Sequence, residues 1–174
     1  KGAEITFPKR SVGATGNVLM AAVKADGITI IHNASMEPEI VSLGDFLTKI
    51  GAKINGLGTD SIEVHPIQDE ITNIEFDIIP DRIEAGTFLI ACAATGGCIT
   101  LKNVFSPDIQ IVIDSLSQVG CKISSDDDIT IDNKNLNDHE NNKEKSVSYI
   151  KGFAVFINKS QFEEIGYFDE NFFL

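Results

Sequence analysis

The chain has 174 residues, 43% of them hydrophobic, which is enough for one ordinary domain or two small ones and excludes a wholly disordered protein. Its formal net charge of −12, from 14 Lys+Arg against 26 Asp+Glu, argues against nucleic acid as a partner because a phosphate backbone would be repelled. The longest apolar stretches are too short for a membrane span and the first residues show no signal-peptide pattern, so we expect a cytoplasmic protein.

The first predicted elements are a strand at residues 3–8, where apolar residues alternate, and a helix at residues 12–25, where they recur with helical spacing. The sequence KRSVGAT, residues 9–15, lies between them. A helix start presents unpaired N–H groups with a partial positive charge, and small residues let an anion approach them. Two interpretations remain open: a binding site for a phosphate, diphosphate or carboxylate, or an ordinary helix start capped by Ser11 or Thr15.

The remaining elements form two copies of one unit. The first copy continues with a strand, a helix and two short strands at residues 28–32, 38–50, 52–55 and 61–65. A linking strand at residues 74–78 leads to a helix, a strand, a helix and two short strands at residues 82–95, 98–102, 107–119, 121–124 and 128–132. Asn33 corresponds to Asn103, and Pro38 to Pro107. The pattern predicts an α/β (α+β) fold with helices packed on a small mixed sheet in each copy.

Charged residues at two further helix starts are candidates for a functional site. Asp81 and Arg82 open the second copy at the position that corresponds to the KRSVGAT helix start, and Glu37 and Glu39 flank Pro38. The alternative for Asp81 is a simple helix cap, with Arg82 paired to a neighbouring carboxylate or solvated. The alternative for the glutamates is stabilisation by the helix dipole without any chemical role.

The cysteines and histidines predict no metal site. The three cysteines form no C-x-x-C pair, and we expect Cys92, Cys98 and Cys121 to be buried as small hydrophobic residues. The three histidines are scattered and lack carboxylate or thiol partners at ligand spacing. No cofactor is expected.

The last part of the sequence differs in character. Residues 133–147 are polar and charged, which predicts a linker. Residues 148–174 then combine an apolar strand pattern with aromatic residues, and GFAVFI at 152–157 with FEEIGYFDENFFL at 162–174 resembles a fragment of the inverting, family 2-type glycosyltransferases. The predicted divisions are therefore residues 1–80, 81–132, 133–147 and 148–174.

Residues 1–132 resemble UDP-N-acetylglucosamine enolpyruvyl transferases. The resemblance rests on blocks in matching order and spacing: KGAEI at 1–5, SVGAT at 11–15, EPEIV at 37–41, GAKI at 51–54, GTD at 58–60 and PDRIEAGTF at 80–88. It covers only the middle of the family's polypeptide. It implies repeated units of an inside-out α/β barrel, here incomplete, with the two copies in different domains, a crossing near Pro80 and two equivalent helix starts facing one cleft.

The resemblance also implies an activity, the transfer of enolpyruvyl from phosphoenolpyruvate to the 3-hydroxyl of UDP-N-acetylglucosamine at the first committed step of peptidoglycan synthesis. The residues that fall on the family's nucleotide-sugar-binding segment are Lys9, Arg10, Ser11, Val12 and Gly13. Glu37, Glu39, Asp81 and Arg82 match positions at the cleft, without a definite catalytic role for any of them. Arg10 and Met36 depart from the residues common at their positions, so the local charge is rearranged.

The matched segment contains neither the family's loop cysteine nor its general-base aspartate, so the resemblance implies that this chain alone is inactive. Two alternatives are a noncatalytic module that binds a nucleotide sugar and a chimeric chain with a glycosyltransferase tail. The shikimate-pathway enolpyruvyl transferase shares the fold and the phosphoenolpyruvate chemistry, but the blocks at 11–15 and 81–88 favour the cell-wall enzyme. The sequence does not determine the oligomeric state.

Overall fold

A computed structural model of the chain describes residues 1–68, 73–126 and 128–133. The chain divides into two compact units, Lys1–Ile79 and Pro80–Leu174, which we call unit 1 and unit 2. Most of the predicted linker and all of the predicted tail lie outside the described residues. Within the described part of the chain, no helix is both long and apolar enough to cross a bilayer.

Unit 1 is a four-stranded sheet with two helices. Its elements in chain order are β1 (Glu4–Thr6), α1 (Val12–Ala22), β2 (Thr29–His32), α2 (Pro38–Lys49), β3 (Lys53–Asn55) and β4 (Ser61–His65). The strand order is β1-β2-β4-β3, with β1 parallel to β2 and the other pairs antiparallel. Alternation in β4 turns Ile62 and Val64 into the core, where they pack with Leu19 and Ile31.

Unit 2 repeats this arrangement with a three-stranded sheet. Its elements are α3 (Arg82–Thr95), β5 (Cys98–Leu101), a 3-10 turn (Ser106–Ile109) that continues into α4 (Gln110–Gln118), β6 (Lys122–Ser125) and β7 (Ile129–Asp132). The strand order is β5-β7-β6, and both pairs are antiparallel. Leu89, Ile109 and Ile131 lie fully buried in its core.

The two copies share backbone details as well as element order. Asn33 and Asn103 both follow a strand in the left-handed conformation, with φ of 56° and 55°. Asparagine tolerates this conformation better than most residues, which explains its use at both positions. Gly51 and Gly120 both follow a helix with φ above 100°. The predicted repeat of helix, strand, helix, strand and strand is therefore confirmed.

The predicted linking strand at residues 74–78 is wrong, because the segment is irregular. In the repeat, this segment corresponds to β1, which pairs with β2 in unit 1. The counterpart of β2 in unit 2 is β5, and in the described part of unit 2 β5 pairs with β7. Side chains hold the segment instead. The rings of Phe46 and Phe76 meet edge to face at 5.5 Å, and Lys49 Nζ donates to the Glu75 carbonyl. Packing on α2 accounts for Phe76 without a hydrogen-bonded ladder, whereas Ile78 of the same alternating pattern is 85% exposed.

Two helix predictions need small corrections. Helix α1 ends at Ala22 rather than residue 25, because the Lys24 and Ala25 amides donate to carbonyls three residues back and tighten the last turn. The helix predicted at 107–119 begins as a 3-10 turn. Proline in its first turn is consistent with the prediction, since a helix start does not need that N–H group.

The predicted burial of the cysteines is correct for two of the three. Cys92 and Cys121 are buried, and burial raises the pKa of both thiols. Cys98 is exposed, because it begins β5 on the outward face, beside Asp132 of β7. Asn133, the first residue of the predicted linker, belongs to the folded unit. Its Nδ2 donates to the Ala93 carbonyl at 2.8 Å.

Candidate functional site

The candidate site of unit 1 lies at the carboxyl edge of its parallel strand pair. Because β1 and β2 are parallel, the segments that follow them, residues 7–11 and 33–37, leave the sheet at the same edge. Each segment leads into a helix, so the starts of α1 and α2 lie at this edge together. Ligands of open α/β sheets bind outside the carboxyl ends of the strands, where helix starts collect.

Hydrogen bonds tie the segment after β2 to the segment after β1 and to α1. Asn33 Nδ2 donates to the Phe7 carbonyl at 2.9 Å, and the Ser35 amide donates to Thr15 Oγ1 at 3.0 Å. The predicted binding residues at 9–13 and the predicted cleft residues Glu37 and Glu39 thus follow strands that end at the same edge of the sheet.

The start of α1 is both capped and accessible. Ser11 is the N-cap, and its Oγ accepts a hydrogen bond from the Ala14 amide at 3.2 Å. Thr15, the alternative cap considered from the sequence, is buried and bonded differently. The cap engages one of the four N-terminal amides of the helix, and Lys9 to Gly13 are all exposed. A cap and an anion site are therefore compatible here.

Gly13 keeps the space above this helix start open. Among the described residues, a Cβ built on Gly13 would meet nothing within 4 Å, whereas a Cβ on Gly16 in the same helix would contact Leu43 and Ile40 at 3.5 and 3.6 Å. Packing therefore gives no reason for a glycine at position 13, although glycine weakens a helix. A ligand that approaches this helix start closely would give such a reason, because a side chain at position 13 would obstruct it.

The start of α2 carries two half-buried carboxylates. Glu37 is the N-cap residue but makes no capping hydrogen bond through its side chain, and Glu39 lies in the first turn behind Pro38. Carboxylates at a helix start are favoured by the dipole. Met36 beside them is exposed and carries no charge. Lys9 and Arg10 are therefore the positively charged side chains in residues 7–11 and 33–37.

The other two candidates lie in unit 2. Asp81 is the N-cap of α3, and its Oδ1 accepts from the Ile83 and Glu84 amides at 2.8 and 3.1 Å. The simple-cap interpretation of Asp81 is thus what its contacts show. Arg82 is half-buried in the first turn of the same helix. Asp81 occupies the place in unit 2 that Ser11 occupies in unit 1.

Replacing Asp81 with alanine is expected to lower the free energy of unfolding by about 1 kcal/mol, since both capping bonds disappear. Urea unfolding followed by circular dichroism measures the loss. Asp81→Asn is the control, because asparagine caps helices about as well as aspartate. Equal losses in the two variants would show that charge, and not the cap, is what matters at this position.

Sequence reasoning missed the contacts of two histidines on the outer face of the first sheet. His32 Nε2 lies 2.9 Å from Glu4 Oε1, and His65 Nε2 lies 2.8 Å from Glu63 Oε1. The hydrogen bond with His65 is the main cause that lowers the pKa of Glu63. Among the described residues, no three His, Cys, Asp or Glu side chains form a group that could hold a metal ion.

The sequence also gave no role to two residues that hold the site together. Asn33 was recognised as a marker of the repeat, and Thr15 as a possible cap and as the last residue of the KRSVGAT stretch, without a part for either in positioning the loops. Both are polar residues beside the ends of the parallel strands, and Thr15 is fully buried. The sequence carried no direct signal for this role, because the burial that makes the Thr15 hydroxyl need hydrogen-bond partners follows only from the fold.

Comparison with known proteins identifies the class to which this fold and site belong. Residues 1–160 match the model of the EPSP synthase (3-phosphoshikimate 1-carboxyvinyltransferase) family. The chain therefore belongs to this family of enolpyruvyl (carboxyvinyl) transferases. The match runs through the predicted linker and into the predicted tail, and the glycosyltransferase resemblance of the tail stays a prediction.

Within this family the chain is similar to UDP-N-acetylglucosamine 1-carboxyvinyltransferases. It is 50% identical to that of Chlorobium luteolum over 131 residues, which are 75% of this chain and 31% of the relative. It is 50% identical over 122 residues to UDP-N-acetylglucosamine 1-carboxyvinyltransferase 1 of Caldanaerobacter subterraneus, covering 70% of this chain and 29% of the relative. The chain thus spans about a third of the length of these curated relatives.

Two solved structures share the fold. The enolpyruvyl transferase NikO from Streptomyces tendae has a TM-score of 0.60 at 20% identity, covering 76% of this chain and 35% of that one. The EPSP synthase of Acinetobacter baumannii has a TM-score of 0.53 at 21% identity, covering 76% and 32%. These likenesses confirm the α/β fold class that the sequence predicts.

Proposed function

We propose that the chain is a segment of a UDP-N-acetylglucosamine 1-carboxyvinyltransferase and supplies part of its nucleotide-sugar site. The main support is the 50% identity over 131 residues to a relative of that name. The enzyme would transfer enolpyruvyl from phosphoenolpyruvate to the 3-hydroxyl of the sugar, in the cytoplasmic stage of peptidoglycan synthesis.

The carboxyl edge of unit 1 suits the anionic part of such a substrate. The exposed amides at the start of α1 and the charges of Lys9 and Arg10 would hold the diphosphate. Local cations are necessary because the chain has a net charge of −12. Small residues at Ser11 and Gly13 allow the close approach that backbone hydrogen bonds require.

The carboxylates would serve a different part of the substrate. Glu37 and Glu39 at the start of α2 can accept hydrogen bonds from sugar hydroxyl and amide groups, which the cations beside them cannot do. In unit 2, Arg82 would hold an anionic group of a substrate, with its helix start fixed by the Asp81 cap. The proposal gives binding roles to these residues and no proton-transfer step to any of them.

Replacing Gly13 with alanine separates binding from folding. The extra methyl group meets open space in the free chain, so we expect stability to be unchanged or raised by roughly 0.5–1 kcal/mol. The same methyl group would lie where a diphosphate approaches the helix start, and we expect the dissociation constant for UDP-N-acetylglucosamine to rise roughly tenfold or more, equivalent to about 1.4 kcal/mol.

Isothermal titration of the wild-type chain and of Gly13→Ala with UDP-N-acetylglucosamine tests this proposal. Met20→Ala, at an exposed position of the same helix, is the control and should bind like the wild type. Absence of heat from the wild type at millimolar ligand would refute the proposed function. Equal affinity in Gly13→Ala would show that the ligand does not approach α1.

A further inference from the structure

Three hydrogen bonds fix the segment between β2 and α2, residues 33–37, which we call the β2–α2 loop. Asn33 Nδ2 donates to the Phe7 carbonyl at 2.9 Å, and the Ala34 amide donates to the Asp60 carbonyl at 3.0 Å. The third bond, from the Ser35 amide to Thr15 Oγ1 at 3.0 Å, joins the loop to α1. The first two hold the loop to other loops of unit 1, and the third reaches the helix that carries the proposed binding residues.

Thr15 uses one hydroxyl for two bonds. Its Oγ1 accepts from the Ser35 amide and donates to the Ser11 carbonyl at 2.7 Å. Ser11 is the N-cap of α1 and directly precedes Val12 and Gly13. The hydroxyl therefore connects the start of α1 with the loop that ends at Glu37. We call this pair of hydrogen bonds, from Ser35 through Thr15 to Ser11, the relay.

The relay lies in the interior of unit 1. Thr15 is fully buried and Ser35 is 1% exposed, so solvent does not replace either partner. The Ser35 hydroxyl itself is buried and has no hydrogen-bond partner in the part of the chain that the structure describes, and Ser35 is held through its main chain. A buried amide that loses its acceptor is left unsatisfied, which favours a displacement of the loop that carries it.

We infer that Thr15 is a positioning residue for the nucleotide-sugar site, because its buried hydroxyl sets the separation between the two helix starts of unit 1. This inference rests on the proposed function. The Lys9–Gly13 segment and the Glu37–Glu39 segment would hold different parts of one ligand, so a change in their separation weakens binding even when every binding side chain is present.

Thr15→Val tests the relay, because valine keeps the shape of threonine and lacks the hydroxyl. Thr87→Val is the matched control. Thr87 in α3 also donates to the carbonyl four residues back, at 2.8 Å, but it is only half-buried. Thr15→Ser restores the hydroxyl and is the conservative rescue. Each variant is titrated with UDP-N-acetylglucosamine at a temperature where circular dichroism shows that it is folded.

We expect the dissociation constant to rise roughly tenfold in Thr15→Val, with values within about threefold of the wild type in Thr15→Ser and Thr87→Val. Wild-type affinity in folded Thr15→Val would overturn the inference and leave Thr15 a merely structural residue. A Thr15→Val chain that does not fold at any temperature leaves Thr15→Ser as the deciding variant. In that case wild-type affinity in Thr15→Ser supports the relay and a tenfold loss contradicts it.

A second measurement separates this inference from the proposed function. If the wild-type chain binds no UDP-N-acetylglucosamine, the proposed function fails, and the relay is judged by amide resonances in ¹H–¹⁵N NMR spectra. Shifts at Val12, Gly13 and Glu37 in Thr15→Val, without shifts there in Thr87→Val, would support coupling between the helix starts. Resonances that stay in place would overturn it.

Discussion

Leu89→Ala is expected to lower the free energy of unfolding by about 2–5 kcal/mol, the largest effect on stability that we anticipate. Leu89 is 0% exposed and packs at the centre of the unit 2 core, with Ile109 and Ile131 also fully buried around it. The substitution removes buried apolar surface and leaves a cavity that a sheet and two helices cannot fully close.

The measurement is urea unfolding combined with amide hydrogen exchange. Two compact units need not unfold in one step, so residue-level exchange in α3 and β7 reports the local loss where a single midpoint would not. Phe88→Ala is the control, because its neighbour Phe88 is 53% exposed and surface changes usually stay within about 0.5 kcal/mol. A loss below about 1 kcal/mol in Leu89→Ala would contradict the packing described here.

The double variant Lys9→Ala/Arg10→Ala is expected to have the largest effect on binding. Hydrogen bonds to charged groups contribute about 1.5–3 kcal/mol each, so losing both cations should raise the dissociation constant for UDP-N-acetylglucosamine by roughly 100-fold or more. Both side chains are exposed, so stability should stay within about 0.5 kcal/mol of the wild type.

Lys24→Ala is the control for overall charge, and it removes one positive charge where the double variant removes two. Lys24 is an exposed cation just beyond the opposite end of α1, so its removal changes the net charge without touching the helix start. Raising the salt concentration should weaken wild-type binding more than binding by the double variant, because screening acts on the charges that remain. If Lys24→Ala lost as much affinity as the double variant, overall charge and not a local site would explain the binding.

Much of the fold could be predicted because its signals are local. Helix α3 begins and ends where the sequence predicts, since Asp81 caps it and glycine follows it. The repeat was visible because positions 33 and 103 both adopt the left-handed conformation, which asparagine tolerates, and both carry asparagine. Residues 74–78 were mispredicted because alternating apolar residues are typical of a strand, whereas here Phe76 packs on α2 without a ladder and Ile78 is exposed.

The residues of the candidate site also differ in whether local sequence or long-range contacts reveal them. Lys9 to Gly13, Glu37 and Glu39 were predicted from the sequence because charge and small residues at a helix start have a direct electrostatic meaning, and their roles stay a prediction. Cys98 was wrongly placed in the core because the outward face of β5 depends on its register with β7. Thr15 was undervalued because its second partner, Ser35, lies twenty residues away along the chain.

The sequence alone determined the repeated α/β units, the helix starts and the family, because propensity, capping and periodicity act between residues that are close along the chain. Only the tertiary structure decided that β1 and β2 are parallel, and that the segments at 7–11 and 33–37 therefore leave the sheet at the same edge. Strand direction and the partner of a buried hydroxyl are fixed by packing and hydrogen bonding across long separations, for which a single sequence carries no local signal.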